Sequence, residues 1–276
     1  MGLLGSNFVK AMRKKGEEVQ VWNRTFSRAE ALEETGAKAF ANAADAVRGA
    51  SVVHVTLKDD ASVDEVLKQA EPGLAAGTLI IDHTTTSVQG AIERTAGWKP
   101  KGVTYLHAPV FMGPPNALES TGYMLVSGDQ EIIKKVEPEL SKMTGKLINL
   151  GPVEGKAAGV KLTGNLFLQA MTAGLSDALA LAKGLGISGD DLLGLFGEWN
   201  PGAGVPARLR RILSGHFEQP SWELDMARKD SGLMMAEAER TGAHLAVIPA
   251  IAAEMDQWIA KGFGKHDWSI IAKENI

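Results

Sequence analysis

Residues 51–82 carry the pattern that decides the fold: Ser51-Val52-Val53-His54-Val55-Thr56, then a helix-forming stretch through Val63–Ala70, then Thr78-Leu79-Ile80-Ile81-Asp82. Two short, β-branched apolar runs joined by a helical segment read as a strand–helix–strand unit, the crossover that parallel strands require. The alternation continues on both sides. Upstream stands Glu18-Val19-Gln20-Val21-Trp22, with helical stretches at Arg28–Thr35 and Ala41–Ala50; downstream stand Val103-Thr104-Tyr105-Leu106, Gly122–Ser127 and Lys146–Leu150. Repetition of this unit to about Leu150 predicts an α/β chain with a Rossmann-type doubly wound sheet.

Beyond Gly151 the strand-like runs stop, and Ala, Leu, Met and Gly dominate helical periods interrupted at Asn200-Pro201-Gly202 and Gln219-Pro220. The expected organisation is a sheet domain over residues 1–152 and an all-α C-terminal domain over 153–276. A helix from about Ala157 to Gly184 would measure roughly 40 Å at 1.5 Å per residue, enough to link the two.

The composition excludes several classes of function. The 276 residues, 45% of them apolar, can fill two cores, and a formal charge of −4 points away from nucleic acid as a partner. With no cysteine there is no disulfide, thiolate-ligated metal or Cys nucleophile, and a reducing cytoplasm is the expected location. No apolar run approaches the roughly 20 residues of a membrane helix, and the N-terminus lacks the layout of a secretory signal, so no membrane partner is expected. The six histidines show no metal-ligand spacing, and no metal is expected. The Ala-, Met- and Leu-rich helices of the second half are expected to bury a shared surface in a homodimer or homotetramer.

Met1-Gly2-Leu3-Leu4-Gly5-Ser6-Asn7 matches the second half of a G-x-G-x-x-G turn, in which the backbone of Gly2, Leu3 and Leu4 would meet a pyrophosphate at a helix N-terminus. The first glycine and the strand before it would lie upstream of Met1, and the expectation is that their absence is an artefact of start-site choice or of numbering. About 20 residues on, the next strand ends in Trp22-Asn23-Arg24-Thr25, where a ribose-reading acid would favour NAD. Asn23, Arg24 and Thr25, with Arg28 one helical turn on, suit a 2′-phosphate, so NADP (NADPH) is expected ahead of NAD.

The order of the remaining motifs resembles the β-hydroxyacid dehydrogenase family, which includes 3-hydroxyisobutyrate and 6-phosphogluconate dehydrogenases, over essentially the whole chain. Asp82-His83-Thr84-Thr85-Thr86 resembles the family's D-x-S-T segment beside the nicotinamide, which implies a cofactor role for Thr85; Leu57 and Lys58 fall where the family walls in the adenosine half. His107-Ala108-Pro109-Val110-Phe111-Met112-Gly113 resembles D-A-P-V-S-G-G, and thereby makes Phe111, Met112 and Gly113 substrate candidates. Phe111 and Met112 replace small polar or flexible residues with an apolar wall, while Gly113 retains a backbone N–H for a substrate. Gly155-Lys156-Ala157-Ala158-Gly159-Val160-Lys161-Leu162-Thr163-Gly164-Asn165 resembles G-x-x-x-x-x-K-x-x-N-N, with Gly164 in place of the first Asn. Four residues apart on a helix, Lys161 and Asn165 share a face, and a lysine with a buried stem can give and take protons near neutrality. Lys229-Asp230 resembles a K-D pair that reaches the cofactor.

The resemblance implies hydride transfer between a nicotinamide and a small hydroxy acid, aldehyde or ketone, with Lys161 as acid/base and Asn165 orienting the substrate oxygen. Three rivals are weighed. Imine reduction suits the apolar wall, though Lys161 with Asn165 favours a carbonyl. A catalytically silent cofactor-binding module would leave Lys161 without a purpose. A decarboxylating sugar-acid dehydrogenase would need polar anchors that the segment around Phe111 lacks.

Overall fold

The β-branched runs become strands and the Ala-, Glu- and Lys-rich stretches become helices in a computed structural model that describes residues 2–276. A first compact unit extends to Asn165. Its elements are α1 (Leu3–Lys14), β1 (Gln20–Trp22), α2 (Phe26–Glu30), β2 (Lys38–Phe40), α3 (Ala43–Val47), β3 (Val52–Val55), α4 (Asp60–Ala70), β4 (Leu79–Asp82) and α5 (Val88–Trp98). There follow β5 (Thr104–His107), β6 (Val110–Phe111), α6 (Pro114–Glu119), β7 (Tyr123–Val126), α7 (Gln130–Ser141), β8 (Lys146–Asn149) and the first turns of α8 (Lys156–Gly184).

Strands β1 and β2 pair in parallel, β3, β4 and β5 form a parallel ladder, and β7 pairs with β8 in parallel and with β6 antiparallel. Alternation along the strands separates two cores. Ile80 and Tyr105 pack with Val63, Leu67 and Trp98 of α4 and α5. Their neighbours Ile81 and Leu106 pack with Phe8 of α1 and with Ile133, Val136 and Leu140 of α7. Side chains one residue apart on a strand point to opposite faces, so helices cover both sides, as a doubly wound sheet requires.

Several elements depart from the sequence reading. Strands β2 and β6 were not expected: Lys38-Ala39-Phe40 has no β-branched residue, and β6 is only two residues long. The helix expected over Arg28–Thr35 is α2 followed by a separate 3-10 turn, Glu33–Thr35, closed by Gly36 at φ +85°. Helix α3 is shorter than expected because Asn42 caps it, accepting from the Asp45 N–H. Helix α4 starts before Val63 because Asp59 accepts from the Ser62 N–H.

The second unit, Leu166–Ile276, holds the rest of α8, then α9 (Gly189–Glu198), α10 (Val205–Ser214), α11 (Leu224–Thr241) and α12 (Ile248–Ala260), with 3-10 turns at Pro201–Gly204 and Trp268–Asn275. Its core gathers Phe217, Leu224, Met255, Trp258 and Ile270. The buried carboxylate of Asp177 on α8 accepts from the N–H groups of Ala246, Val247 and Ile248 at 2.8, 2.8 and 3.0 Å, satisfying donors that the start of α12 would otherwise leave orphaned. The division between the units falls inside α8, between Asn165 and Leu166.

Candidate active site

A cleft of about 1650 Å³ in the first unit is lined on one side by β1 and on the other by β3. Gly2 and Gly5 of the α1 start, Asn23, Arg24, Thr25 and Arg28 after β1, and Leu57 and Lys58 after β3 all open onto it. Leu4 packs against the core, so it can offer a ligand only its backbone, while Leu3 is exposed.

The residues present fit an anionic dinucleotide. Gly2 is the N-cap of α1 and no side chain caps the helix, so its first N–H groups point outward unpaired by any cap. A Cβ on Gly2 would meet nothing within 4 Å, which leaves the backbone open to close approach. Arg24 and Arg28 are exposed and form no ion pair among the described residues. Asn23 donates from Nδ2 to the Thr25 carbonyl at 3.0 Å, so part of its donor capacity serves the local turn.

The ends of β3, β4 and β5 lie level, with Val55 opposite Asp82 and Asp82 opposite His107. Buried Asp82 accepts from the Tyr105 hydroxyl at 2.6 Å and from the Thr84 N–H at 2.8 Å. Burial, together with that carboxylate, raises the Tyr105 pKa and keeps the phenol protonated. His83 Nδ1 lies 2.8 Å from the Ala108 carbonyl, which can only accept, so Nδ1 carries the proton. The neutral ring then presents its Nε2 lone pair to His54 Nδ1–H at 3.0 Å. Burial pushes His83 down to about 3, with His54 beside it adding to the effect. His54, which opens onto the cleft, falls to about 4 through loss of solvent.

His107 Nε2 donates to the Thr84 carbonyl at 2.8 Å and lies 3.2 Å from Thr86 Oγ1. Thr84 Oγ1 accepts from the Leu57 N–H at 2.9 Å. The turn over residues 82–86 is thus tied to β3 and β5. Of its three threonines, half-buried Thr85 alone has a hydroxyl without a protein partner among the described residues.

Lys161 sits one turn and a half into α8, whose start is fixed by Ser127 Oγ accepting from the Ala157 N–H at 2.9 Å. Gly155 precedes it at φ +75°, where a Cβ would come within 2.9 Å of Val88 and Ile92, so only glycine lets the chain pass there. Lys161 is 8% exposed. Its Nζ donates to Asn165 Oδ1 at 3.1 Å and lies 4.2 Å from the centre of the Phe111 ring. Burial lowers the Lys161 pKa. Asn165 Oδ1 is engaged by the amine, while its Nδ2 makes no hydrogen bond to protein among the described residues.

One substrate candidate is corrected by these contacts. The Gly113 N–H, expected to be free for a substrate, donates to Asn116 Oδ1 at 2.8 Å as the N-cap of α6. The half-buried Met112 side chain packs in part against the core that holds Phe8 of α1. The Phe111 ring centre lies 4.2 Å from the Lys161 amine. In the second unit, exposed Lys229 and half-buried Asp230 on α11 pair with each other at 2.9 Å. Trp199 is 57% exposed and stacks on Phe196.

The sequence reading missed the ties made by His54, Thr84, Tyr105 and His107. His54, Thr84 and His107 stand within the last two residues of a parallel strand or just beyond its C-terminal end, where ligands collect in such sheets, and polar residues closing an apolar run are the signal that marks them; Tyr105 is inside β5 and carries no such signal.

Residues 1–151 match the model of the NAD binding domain of 6-phosphogluconate dehydrogenase. The chain is 31% identical over 219 residues to a probable 3-hydroxyisobutyrate dehydrogenase of Mycobacterium bovis, covering 75% of this chain and 73% of that one. It is 28% identical over 270 residues to an uncharacterized oxidoreductase of Shewanella frigidimarina, covering 95% and 89%. Among solved structures, an imine reductase from Myxococcus stipitatus in complex with NADP+ superposes with a TM-score of 0.92 over 99% of this chain and 96% of its own, at 23% identity. At that identity the superposition speaks for the fold.

The histidine pair predicts acid sensitivity. Unfolded, both rings take up a proton near pH 6.5; folded, they stay neutral to about 4 and about 3. Below pH 6.5 the unfolded chain therefore binds more protons and stability falls with pH, by on the order of 1–2 kcal/mol for each ring at pH 5. Thermal melts between pH 7.5 and 5.0 should show the decline, and His83→Gln should flatten it.

Proposed function

The chain belongs to the β-hydroxyacid dehydrogenase family and is a nicotinamide-dependent oxidoreductase, and on that premise we propose that it uses NADPH to interconvert a small aldehyde, ketone or hydroxy acid and its redox partner, with Lys161 as acid/base. The observation that carries this reading is the buried Lys161 amine, held by Asn165 Oδ1 and facing the Phe111 ring.

A bound nicotinamide supplies or accepts the hydride. Lys161 Nζ gives a proton to the carbonyl oxygen in reduction and recovers it from the hydroxyl in oxidation. Burial lowers its pKa, which brings both directions within reach near neutral pH. Asn165 fixes the amine through Oδ1 and has Nδ2 left to orient the substrate oxygen. Phe111 keeps water from one side of the amine. The preference for NADPH rests on Arg24 and Arg28, exposed on the cleft with no acid at the end of β1. Thr85, Leu57 and Lys58 complete the cofactor reading.

Imine reduction is the second reading. It is favoured by the aromatic ring on the amine and by the fold shared with the Myxococcus stipitatus imine reductase. Turnover of cyclic imines but not of ketones would select it, and stoichiometric NADPH binding without turnover of either would select a silent binding module.

The assembly is inferred to be a homodimer or larger. Leu166, Phe167 and Leu168 are each more than half exposed on α8, as are Leu193 on α9 and Leu213 on α10, and apolar surface of this kind calls for a cover. A chain without cysteine suits a reducing cytoplasm.

Lys161→Ala should lower kcat by about 10²–10⁴ while NADPH binding, read by fluorescence, survives. Arg24→Ala should raise the Kd for NADPH about tenfold and leave that for NADH unchanged, since a charge-assisted phosphate contact accounts for roughly 1.4 kcal/mol. Sedimentation velocity should give at least twice the monomer mass, and Leu168→Asp with Leu193→Asp should reduce it.

A further inference from the structure

Gly164 lies in the interior of α8, where glycine is less favourable than alanine unless something requires it. The requirement is visible. A Cβ at position 164 would stand 2.4 Å from Phe111 Cζ and 2.9 Å from Phe111 Cε1. The ring lies directly on the helix backbone and fills the volume that any side chain at 164 would need.

The backbone that carries the ring is fixed. Phe111 is held in β6 opposite Tyr123 of β7. Its carbonyl backs onto Gly122, at φ +79°, where a Cβ would come within 2.8 Å of that oxygen. Lys161, three residues before Gly164, is on the same side of α8, and its amine lies 4.2 Å from the ring centre. The amine is thus bracketed by the π-face of Phe111 and the carboxamide of Asn165.

We propose that Phe111 and Gly164 form one interlocked specificity element, which closes the space beside Lys161 with an aromatic face and selects an aldehyde or ketone bearing an apolar substituent over one bearing a carboxylate. The inference rests on the acid/base reading of Lys161. The ring has no donor for a carboxylate, and pressing a charged group against it strips solvent without replacement. A carboxylate drawn instead to the Lys161 amine would hold the proton that the reaction has to move. An alkyl or aryl group gains by lying on the ring.

Two measurements test this. The first is independent of activity. Gly164→Ala should lower the melting temperature by about 5 °C in the wild-type background, because overpacking outweighs helix propensity, and should raise it in a Phe111→Ala background, where the space is open. An increase in both backgrounds would overturn the interlock. The second compares kcat/KM with NADPH for butanal and for 4-oxobutanoate, which have the same chain length and differ in the carboxylate. The wild type should favour butanal by about tenfold or more, Phe111→Ser should shift the ratio toward the acid by a similar factor, and Phe111→Leu should retain the apolar preference. A wild-type preference for 4-oxobutanoate, or a ratio unmoved by Phe111→Ser, would overturn the selectivity while the function stands. No turnover of either aldehyde by a wild type that binds NADPH would instead sink the assigned reaction, and the substrate class with it, whatever the melts show.

Discussion

Parallel pairing of β3, β4 and β5 sets Val55, Asp82 and His107 level, and the chemistry of the first unit's strand ends depends on that register. A slip of one residue would turn Asp82 out of reach of Tyr105 and exchange the two cores, since Ile80 and Ile81 serve opposite faces. With the register held, most polar groups at this buried edge find a partner in a neighbour, the buried Nδ1 of His107 being an exception. The Ala108 carbonyl fixes the tautomer of His83, His83 fixes that of His54, and His107 and Thr84 tie the 82–86 turn to the strands beside it. The Thr85 hydroxyl and His107 Nδ1 are what remain unengaged among the described residues.

The same logic governs Lys161. An amine with 8% exposure has to be compensated, and here the compensation is one carboxamide oxygen and one aromatic face. Neither holds the proton as firmly as a carboxylate would, so burial governs the amine's pKa and lowers it. That setting suits a group that must both give and take a proton within one catalytic cycle. It also explains why a helix otherwise rich in Ala and Leu carries glycine at 164: the aromatic partner of the amine needs the helix backbone bare.

Much of the fold was legible because its signals are local. Runs such as Val52–Val55 and Leu79–Asp82 alternate or cluster apolar residues over distances shorter than a strand, and the long period from Lys156 to Gly184 declares a helix without reference to anything else. Where local signals were weak, the reading failed. Strand β2 has only Lys38-Ala39-Phe40 to announce it and forms because β1 offers it an edge, and β6 exists because β7 does. Helix propensity alone joined Arg28 to Thr35, but burial of Leu32 and the left-handed Gly36 divide that stretch.

The sequence by itself determined the α/β order, the all-helical second half, the shared face of Lys161 and Asn165, and the cationic end of β1, because each follows from spacing within a few residues. Only the tertiary structure decided that Phe111 lies on Lys161, that Gly164 makes room for it, that the Gly113 N–H is already engaged by Asn116, and that His83 and His54 are neutral. The physical reason is that, apart from the Gly113 contact, these depend on groups dozens of residues apart along the chain, whose distances are set by packing and solvent exclusion rather than by periodicity.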